Sequence, residues 1–371
     1  MATNKVVDLR SDTVTKPSEA MRATMARRPW LRGRDGVDDD VQRPGRYAYL
    51  QYELSMHGIK NNMGNLVSVL AHCDVRGSEV ILVDDSHIHL YENGGVSTIG
   101  GVHPETVRNN ADGTMDIDRI VSTIRPPGGG LYYPTTRLIC LENTHGNSGG
   151  KCLSVEYTDK VGEIAKSHGL KLHIDGARIF NASVALGVPV DRLVKAADSV
   201  LVCMSKGLGA PVGSVIVGSK AFIDKAKILR KTGMRKVGVL CAAAHVAVRD
   251  TLGKLADDHR KAPVRLFLSQ GLNKIEQFTV DSASVESNMV FLDIVDSRIS
   301  CDKLCQVLGT HNVLSNPRSP KSVRLGLHYQ ISDTDVQYAL TCFNKAVEEL
   351  LKGSTEFEHL ADTTTKNSYG H

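Results

Sequence analysis

The sequence predicts an α/β protein with a mostly parallel sheet in a large domain and a small C-terminal α+β domain. The first observation is that short apolar, β-branched segments alternate with helical periods through the middle of the chain. Such strands joined by helices are typical of a parallel sheet covered on both faces. The second is that a long helical stretch begins near residue 237 and is followed by two strands and a final helix. We therefore expect a large domain over residues 1–258, a small domain over 259–352 and a disordered tail over 353–371.

Each element of this fold has its own local pattern. Strands of the large domain are predicted where apolar residues follow one another between turn residues, at 79–83, 137–141, 171–174, 199–203 and 214–217. The segment 157–168 is predicted to be a helix, because its apolar side chains recur at helical spacing and Gly169 follows as a stop signal. The small domain has predicted strands at 288–292 and 322–326. Its last helix begins at 332 and carries one apolar face.

Composition and charge exclude several classes of protein. Of the 371 residues, 41% are hydrophobic and 23% are charged, which is typical of globular domains. A net charge of +4 and the lack of any run of five basic residues argue against a nucleic-acid partner. The longest apolar stretch, 237–248, is shorter than the ~18–20 residues that span a bilayer, so no membrane association is expected. The N-terminus has no apolar signal core and the eight cysteines are scattered, so we expect reduced thiols and a cytoplasmic enzyme.

Polar side chains directly follow three of the predicted strands, where an open α/β sheet binds its ligands. Asp175 follows strand 171–174, Lys206 follows strand 199–203, and His145 follows strand 137–141. A carboxylate and a lysine one strand–helix unit apart suit pyridoxal phosphate, which bonds to a lysine and needs an acidic group at its pyridine nitrogen. Each of these residues also has an ordinary structural interpretation. Lys206 could be a solvated loop lysine, Asp175 could belong to an Asp-Gly turn, and His145 could cap a strand. The spacing alone leaves both interpretations open.

Four longer motifs stand in order along the chain: Val7-Asp-Leu-Arg-Ser-Asp-Thr-Val-Thr15, Leu141-Glu-Asn-Thr-His145, His173-Ile-Asp-Gly-Ala-Arg-Ile-Phe-Asn181 and Ser205-Lys-Gly-Leu-Gly-Ala-Pro-Val-Gly-Ser214. Together they resemble the threonine aldolases, pyridoxal-phosphate lyases of the aspartate-aminotransferase-like fold type I. Two further segments look most like the plant members of that family: His87-Ile-His-Leu-Tyr-Glu-Asn-Gly-Gly95 and Asn147-Ser-Gly-Gly-Lys-Cys-Leu-Ser154. The resemblance implies this fold for the large domain and pyridoxal 5'-phosphate as the cofactor.

The resemblance also implies roles for three residues around the cofactor ring. Lys206 would form the internal aldimine, Asp175 would pair with the pyridine nitrogen, and His87 would stack on the ring. No metal is expected.

The segments that hold the cofactor phosphate depart from the family pattern. Asn61 and Asn62 stand where the family has glycine and threonine in a phosphate-binding loop at a helix N-terminus. The segment before them is shorter than in the family. A second shortening lies at 231–235, where the family has a glycine-rich loop that reaches the phosphate of a neighbouring subunit. Arg235 of that segment remains. We still expect Asn61, Asn62 and Arg235 to bind the phosphate.

The substrate is implied to be a β-hydroxy-α-amino acid. Arg178 and Arg324 would clamp its carboxylate with Ser11 assisting, because a guanidinium meets a carboxylate in a bidentate way. Arg178 is also expected to contact the cofactor. His145 would lie near the substrate hydroxyl, either as the base or the holder of a water, or as a group that orients the substrate without proton transfer.

The implied reaction is retro-aldol cleavage of L-threonine or L-allo-threonine to glycine and acetaldehyde, which serves threonine breakdown and glycine formation. The resemblance implies a homotetramer. Two alternatives remain: a non-catalytic paralogue with impaired phosphate binding, which the two shortened segments favour, and a related β-eliminating lyase on the same fold.

Overall fold

The computed structural model describes residues 5–27, 51–53, 62–127, 131–231, 238–260 and 262–365. The chain divides into two compact units, one of residues 15–259 and one of residues 1–14 together with 260–371. The sequence places residues 1–14 in the large domain, whereas their described part belongs to the C-terminal unit. The reason is that strand Val7–Asp8 pairs in parallel with Val313–Leu314, and Val7 and Leu9 are buried in the core of that unit.

The strands of the described residues are, in chain order, β1 (Val7–Asp8), β2 (Gln51–Glu53), β3 (Ser78–Val83), β4 (His103–Val107), β5 (Thr135–Glu142), β6 (Lys171–Asp175), β7 (Ser199–Cys203), β8 (Ser214–Gly218), β9 (Phe278–Thr279), β10 (Met289–Ile294), β11 (Val313–Leu314), β12 (Asn316–Ser319) and β13 (Ser322–Gly326).

The helices are α1 (Glu19–Arg27), α2 (Asn62–His72), α3 (His87–Leu90), α4 (Gly95–Thr98), α5 (Ile117–Thr123), α6 (Val155–Ser167), α7 (Ile179–Leu186), α8 (Val190–Leu193), α9 (Lys220–Lys231), α10 (Gly238–Arg260), α11 (Ala262–Leu272), α12 (Cys301–Thr310) and α13 (Asp333–Thr365). Short 3-10 turns lie at Asp12–Val14 and Ser282–Ser284.

The unit of residues 15–259 is built on a seven-stranded sheet in the order β2-β8-β7-β6-β5-β3-β4. The strands from β4 to β7 are parallel, and β8 and β2 are antiparallel to their neighbours, so the predicted mostly parallel sheet is confirmed. β3 and β7 are buried along their whole length, which explains their continuous apolar sequences. The edge strand β4 is partly exposed and mostly polar, and β2 contains glutamine and glutamate. The sequence gives no apolar signal for these two strands.

Both faces of this sheet are covered by apolar side chains, as β3 shows. Ile81 and Val83 point into one hydrophobic cluster, together with residues of α6, α7 and α10. The alternate residues Val80 and Leu82 pack in a second cluster, with residues of α2, α3 and α4. Because successive side chains of a strand point to opposite faces, this division is what a sheet between two helical layers requires.

Replacing Ile81 with alanine should destabilise this unit by about 2–5 kcal/mol, because Ile81 is fully buried and the substitution leaves a cavity between packed neighbours. The matched control is Ile228→Ala in α9, since Ile228 is 72% exposed and should change the free energy of unfolding little. Urea unfolding of both variants measures the two effects. Equal losses of stability would contradict the assignment of Ile81 to the core.

The second unit contains an antiparallel four-stranded sheet in the order β12-β13-β10-β9. Its core takes side chains from α11, α12 and one face of α13, where Val336, Ala339 and Phe343 are fully buried. α13 continues to Thr365, so residues 353–365 are helical rather than the disordered tail that the sequence predicts. Gly353 costs a helix only about 1 kcal/mol relative to alanine, and no proline follows it before Thr365 to end the helix.

Within the described ranges, no helix combines the length and apolar character needed to cross a membrane. All eight cysteines are free, and six of them are buried. The sequence prediction that they are reduced thiols of the interior therefore agrees with their positions.

Candidate active site

The carboxyl ends of three neighbouring parallel strands meet at one edge of the seven-stranded sheet. Glu142 at the end of β5 lies opposite Asp175 at the end of β6. Asp175 in turn lies opposite Leu201 in β7, and Lys206 follows three residues after β7 ends. The sheet topology therefore brings Asp175 and Lys206 to the same edge, as the sequence predicts.

Lys206 is buried, with 6% of its surface exposed. Its main-chain carbonyl accepts hydrogen bonds from Thr15 Oγ1 at 3.0 Å and from the Gly209 N–H at 2.9 Å, which fix the loop after β7. No carboxylate of the described residues forms an ion pair with Lys206. A buried amine without a counter-charge is the arrangement that a covalently held cofactor requires.

The carboxylate of Asp175 is buried among hydrogen-bond donors. Its Oδ2 accepts from Asn65 Nδ2 at 2.8 Å, and its Oδ1 accepts from the Ala177 N–H at 3.1 Å. The other N–H of the Asn65 side chain reaches Glu92 Oε1 at 2.7 Å. Asn65, from α2, therefore bridges two carboxyl groups that the sequence separates widely.

Contacts of both its main chain and its ring fix His87 at the start of α3. Its main-chain N–H donates to Glu142 Oε2 at 2.7 Å, and its ring Nδ1 lies 2.9 Å from Glu92 Oε1. Burial raises the pKa of Glu92, and its buried Oε2 has no hydrogen-bond partner among the described residues. One side-chain nitrogen or oxygen atom from each of His87, Glu92 and Asp175 lies within 4.8 Å of the others, and such atoms are possible metal ligands. The Asn65 amide donates to both carboxylates and so joins the three residues into one hydrogen-bonded cluster.

His145 is fully buried in the turn after β5. Its Nδ1 accepts a hydrogen bond from the Ser148 N–H at 3.2 Å, so in neutral histidine the ring proton lies on Nε2. Nε2 is buried and has no hydrogen-bond partner in the described part of the chain. Gly113, at φ +83°, packs against this ring, and a Cβ there would lie 2.9 Å from His145 Cβ. The turn therefore presents a fixed imidazole with one available N–H.

The predicted carboxylate-binding residues lie in both units. Arg178 is buried at the N-terminus of α7, near Gly146, where an added Cβ would lie 3.8 Å from Arg178 Nη1. Ser11 and Arg324 belong to the C-terminal unit. There Arg324 lies in β13, and a Cβ added to Gly326 in that strand would lie 2.8 Å from Ser11 Cα.

The structure describes only a small part of the predicted phosphate site. Asn61 and Arg235 lie outside the described residues. Asn62 is the first residue of α2, and nothing is described of its side chain. The start of α2 is thus the part of the predicted phosphate site that the structure contains.

Three residues of the site were not predicted from the sequence: Asn65, Glu92 and Glu142. Glu92 and Glu142 fall inside motifs that resemble the threonine aldolases, which was the available signal, whereas Asn65 follows the segment that departs from the family pattern. Their roles come from side chains that meet across separate elements, and linear spacing does not reveal such contacts.

Comparison with known proteins identifies the family of this chain. A family model described as beta-eliminating lyase matches residues 8–295, which is more than half of the chain. The chain belongs to the beta-eliminating lyase family. A relative from Arabidopsis thaliana named probable low-specificity L-threonine aldolase 2 is 57% identical over 92% of this chain and 98% of its own length. Low-specificity L-threonine aldolase 1 of the same plant is 56% identical over 92% of this chain and 96% of its own length. The resemblance to plant threonine aldolases is therefore confirmed.

The fold of this family member is also confirmed. The solved structure of Leishmania major threonine aldolase superposes with a TM-score of 0.72 and covers 92% of this chain and 99% of its own, at 18% identity. At this identity the comparison shows the fold and not the activity.

The site fits pyridoxal 5'-phosphate on the chemistry of its donors. The buried amine of Lys206, which has no ion pair within the described ranges, and the buried carboxylate of Asp175 lie at the ends of adjacent strands. The His87 ring lies near that carboxylate. In pyridoxal phosphate, an amine can bond to the aldehyde carbon, a carboxylate can pair with the pyridine nitrogen, and an imidazole can lie against the face of the ring.

Proposed function

We propose that this beta-eliminating lyase is a pyridoxal-phosphate-dependent threonine aldolase, which cleaves L-threonine and L-allo-threonine to glycine and acetaldehyde. The observation that carries the proposal is the pair of buried groups Lys206 and Asp175 at the carboxyl ends of adjacent parallel strands. The identity of 57% with a plant relative named as a threonine aldolase supports this choice among the chemistries of the family.

Residues of the large unit would bind the cofactor. Lys206 would hold it covalently, Asp175 would keep a proton at its pyridine nitrogen, and His87 would lie against its ring. When bound, pyridoxal phosphate accepts the electron pair that the broken Cα–Cβ bond leaves on the substrate. Asn61, Asn62 and Arg235 would contact the phosphate, together with the N-terminus of α2.

Other residues would bind the substrate. Arg178, Arg324 and Ser11 would hold the carboxylate, and His145 would reach the β-hydroxyl group. The hydrogen bond from the Ser148 N–H to Nδ1 leaves Nε2–H as a donor. Of the roles expected for His145, this tautomer supports holding a water molecule or orienting the substrate rather than acting as the base.

The proposal also covers the assembly, the location and the metabolic role of the protein. We propose a homotetramer located in the cytoplasm, with neither nucleic acid nor membrane as a partner, that forms glycine and degrades threonine. The free, mostly buried cysteines and the small net charge support this setting.

Product analysis tests the proposed reaction. With pyridoxal phosphate, the purified protein should release acetaldehyde and glycine in equal amounts from L-threonine and L-allo-threonine. Ammonia and an α-keto acid as the products would instead identify a β-eliminating activity. A protein that releases neither set of products and stays colourless with added pyridoxal phosphate would be the non-catalytic paralogue.

A further inference from the structure

A buried hydrogen-bond chain connects Asp175 with His72 at the end of α2. Asn65 Nδ2 donates to Asp175 Oδ2 at 2.8 Å, and Asn65 Oδ1 lies 3.2 Å from His173 Nε2. On the other side of its ring, His173 Nδ1 lies 2.8 Å from Ser199 Oγ. Ser199 Oγ in turn lies 2.7 Å from His72 Nε2. The reaction as proposed above uses only Asp175 among these residues.

The donors and acceptors of this chain have one consistent direction. Asn65 must turn its N–H groups towards the carboxylates of Asp175 and Glu92, so its Oδ1 must accept from His173 Nε2–H. Burial lowers the pKa of His173 to about 4 and that of His72 to about 3, so both rings are neutral near pH 7.

Because both rings are neutral, the two remaining hydrogen bonds of the chain also have a defined direction. His173 Nδ1 carries no proton and must accept from the Ser199 hydroxyl group, whose oxygen then accepts from His72 Nε2–H. Every donor along the chain therefore points towards Asp175.

We propose that Asn65, His173 and Ser199 are positioning residues that fix Asp175 as a hydrogen-bond acceptor towards the cofactor nitrogen. The inference rests on the proposed function, because it concerns the same carboxylate. Asp175 Oδ1 also accepts from the Ala177 N–H, so all its described partners are donors. If the His173 proton moved to Nδ1, two acceptors would face each other at Asn65, and the amide would lose its orientation. Outer groups of this kind set the orientation and basicity of the group that binds the ligand.

Removing the Ser199 hydroxyl group is the smallest change that tests the chain. Ser199→Ala deletes the donor that fixes the His173 tautomer. Ser68→Ala is the matched control, because Ser68 is equally buried in α2 but donates to the Gly64 carbonyl instead. The dissociation constant of pyridoxal phosphate should rise about tenfold in Ser199→Ala, the scale typical of losing a hydrogen bond that supports a ligand-binding group, and stay at the wild-type value in Ser68→Ala.

Neutron diffraction from crystals of the wild-type protein at pH 7 provides a readout that is independent of the cofactor. The result expected is a deuteron on His173 Nε2 and none on Nδ1. A deuteron on Nδ1, or equal cofactor dissociation constants in the two serine variants, would overturn the proposal. If the wild-type protein bound no pyridoxal phosphate, the proposed function would fail, whereas the deuteron positions would still decide the direction of the chain.

Discussion

Lys206→Ala should lower kcat/KM for threonine cleavage by at least about 1,000-fold and leave the fold intact. In the proposed function this side chain supplies the covalent link to the cofactor, and removing a group that acts covalently typically costs this much or more. Lys206 forms no ion pair with the described residues, and its main-chain contacts to Thr15 and Gly209 do not need the amine. The stability of the fold should therefore change little.

The matched control for this variant is Lys195→Ala, because Lys195 is an exposed lysine of the same unit. Acetaldehyde release and circular dichroism of both variants provide the comparison. Unchanged turnover in Lys206→Ala, or an equal loss in Lys195→Ala, would remove Lys206 from the reaction.

Asp175→Asn should lower kcat by about 100- to 1,000-fold, the usual cost of removing one electrostatic contact to a developing charge. An amide has nearly the shape of the carboxylate but cannot stabilise a positive charge at the pyridine nitrogen, so the ring becomes a weaker electron acceptor. Asp118→Asn is the control, since Asp118 is exposed on α5.

The role of Asp175 is measured by comparing the two aspartate variants. The comparison uses steady-state kinetics and the visible absorbance of the bound cofactor. Wild-type kcat in Asp175→Asn would show that this carboxylate does not act on the ring.

Much of the central sheet could be predicted from the sequence because its strands are buried on both faces. Segments such as 79–83 and 199–203 are continuously apolar, and the structure places β3 and β7 there. The strands β2 and β4 lie at the two edges of the sheet, where a strand needs fewer apolar side chains. A local pattern therefore does not distinguish them from loops.

The site was predicted to the extent that its residues directly follow strands. Asp175 and Lys206 become candidates in this way, and His87 becomes one through its motif. Asn65 does not, because it meets Asp175 across 110 residues of chain, and only the packing of α2 on the sheet brings the two together. Contacts of this kind depend on tertiary structure rather than on local spacing.

The most direct test of the account is to find which side chain holds the cofactor. Sodium borohydride added to the wild-type protein with pyridoxal phosphate should fix the cofactor irreversibly to Lys206. Mass spectrometry of the digested protein should then find the pyridoxyl group on the peptide that contains this residue. A label on a different lysine, or no label at all, would contradict the assignment of Lys206 and Asp175 to one cofactor site.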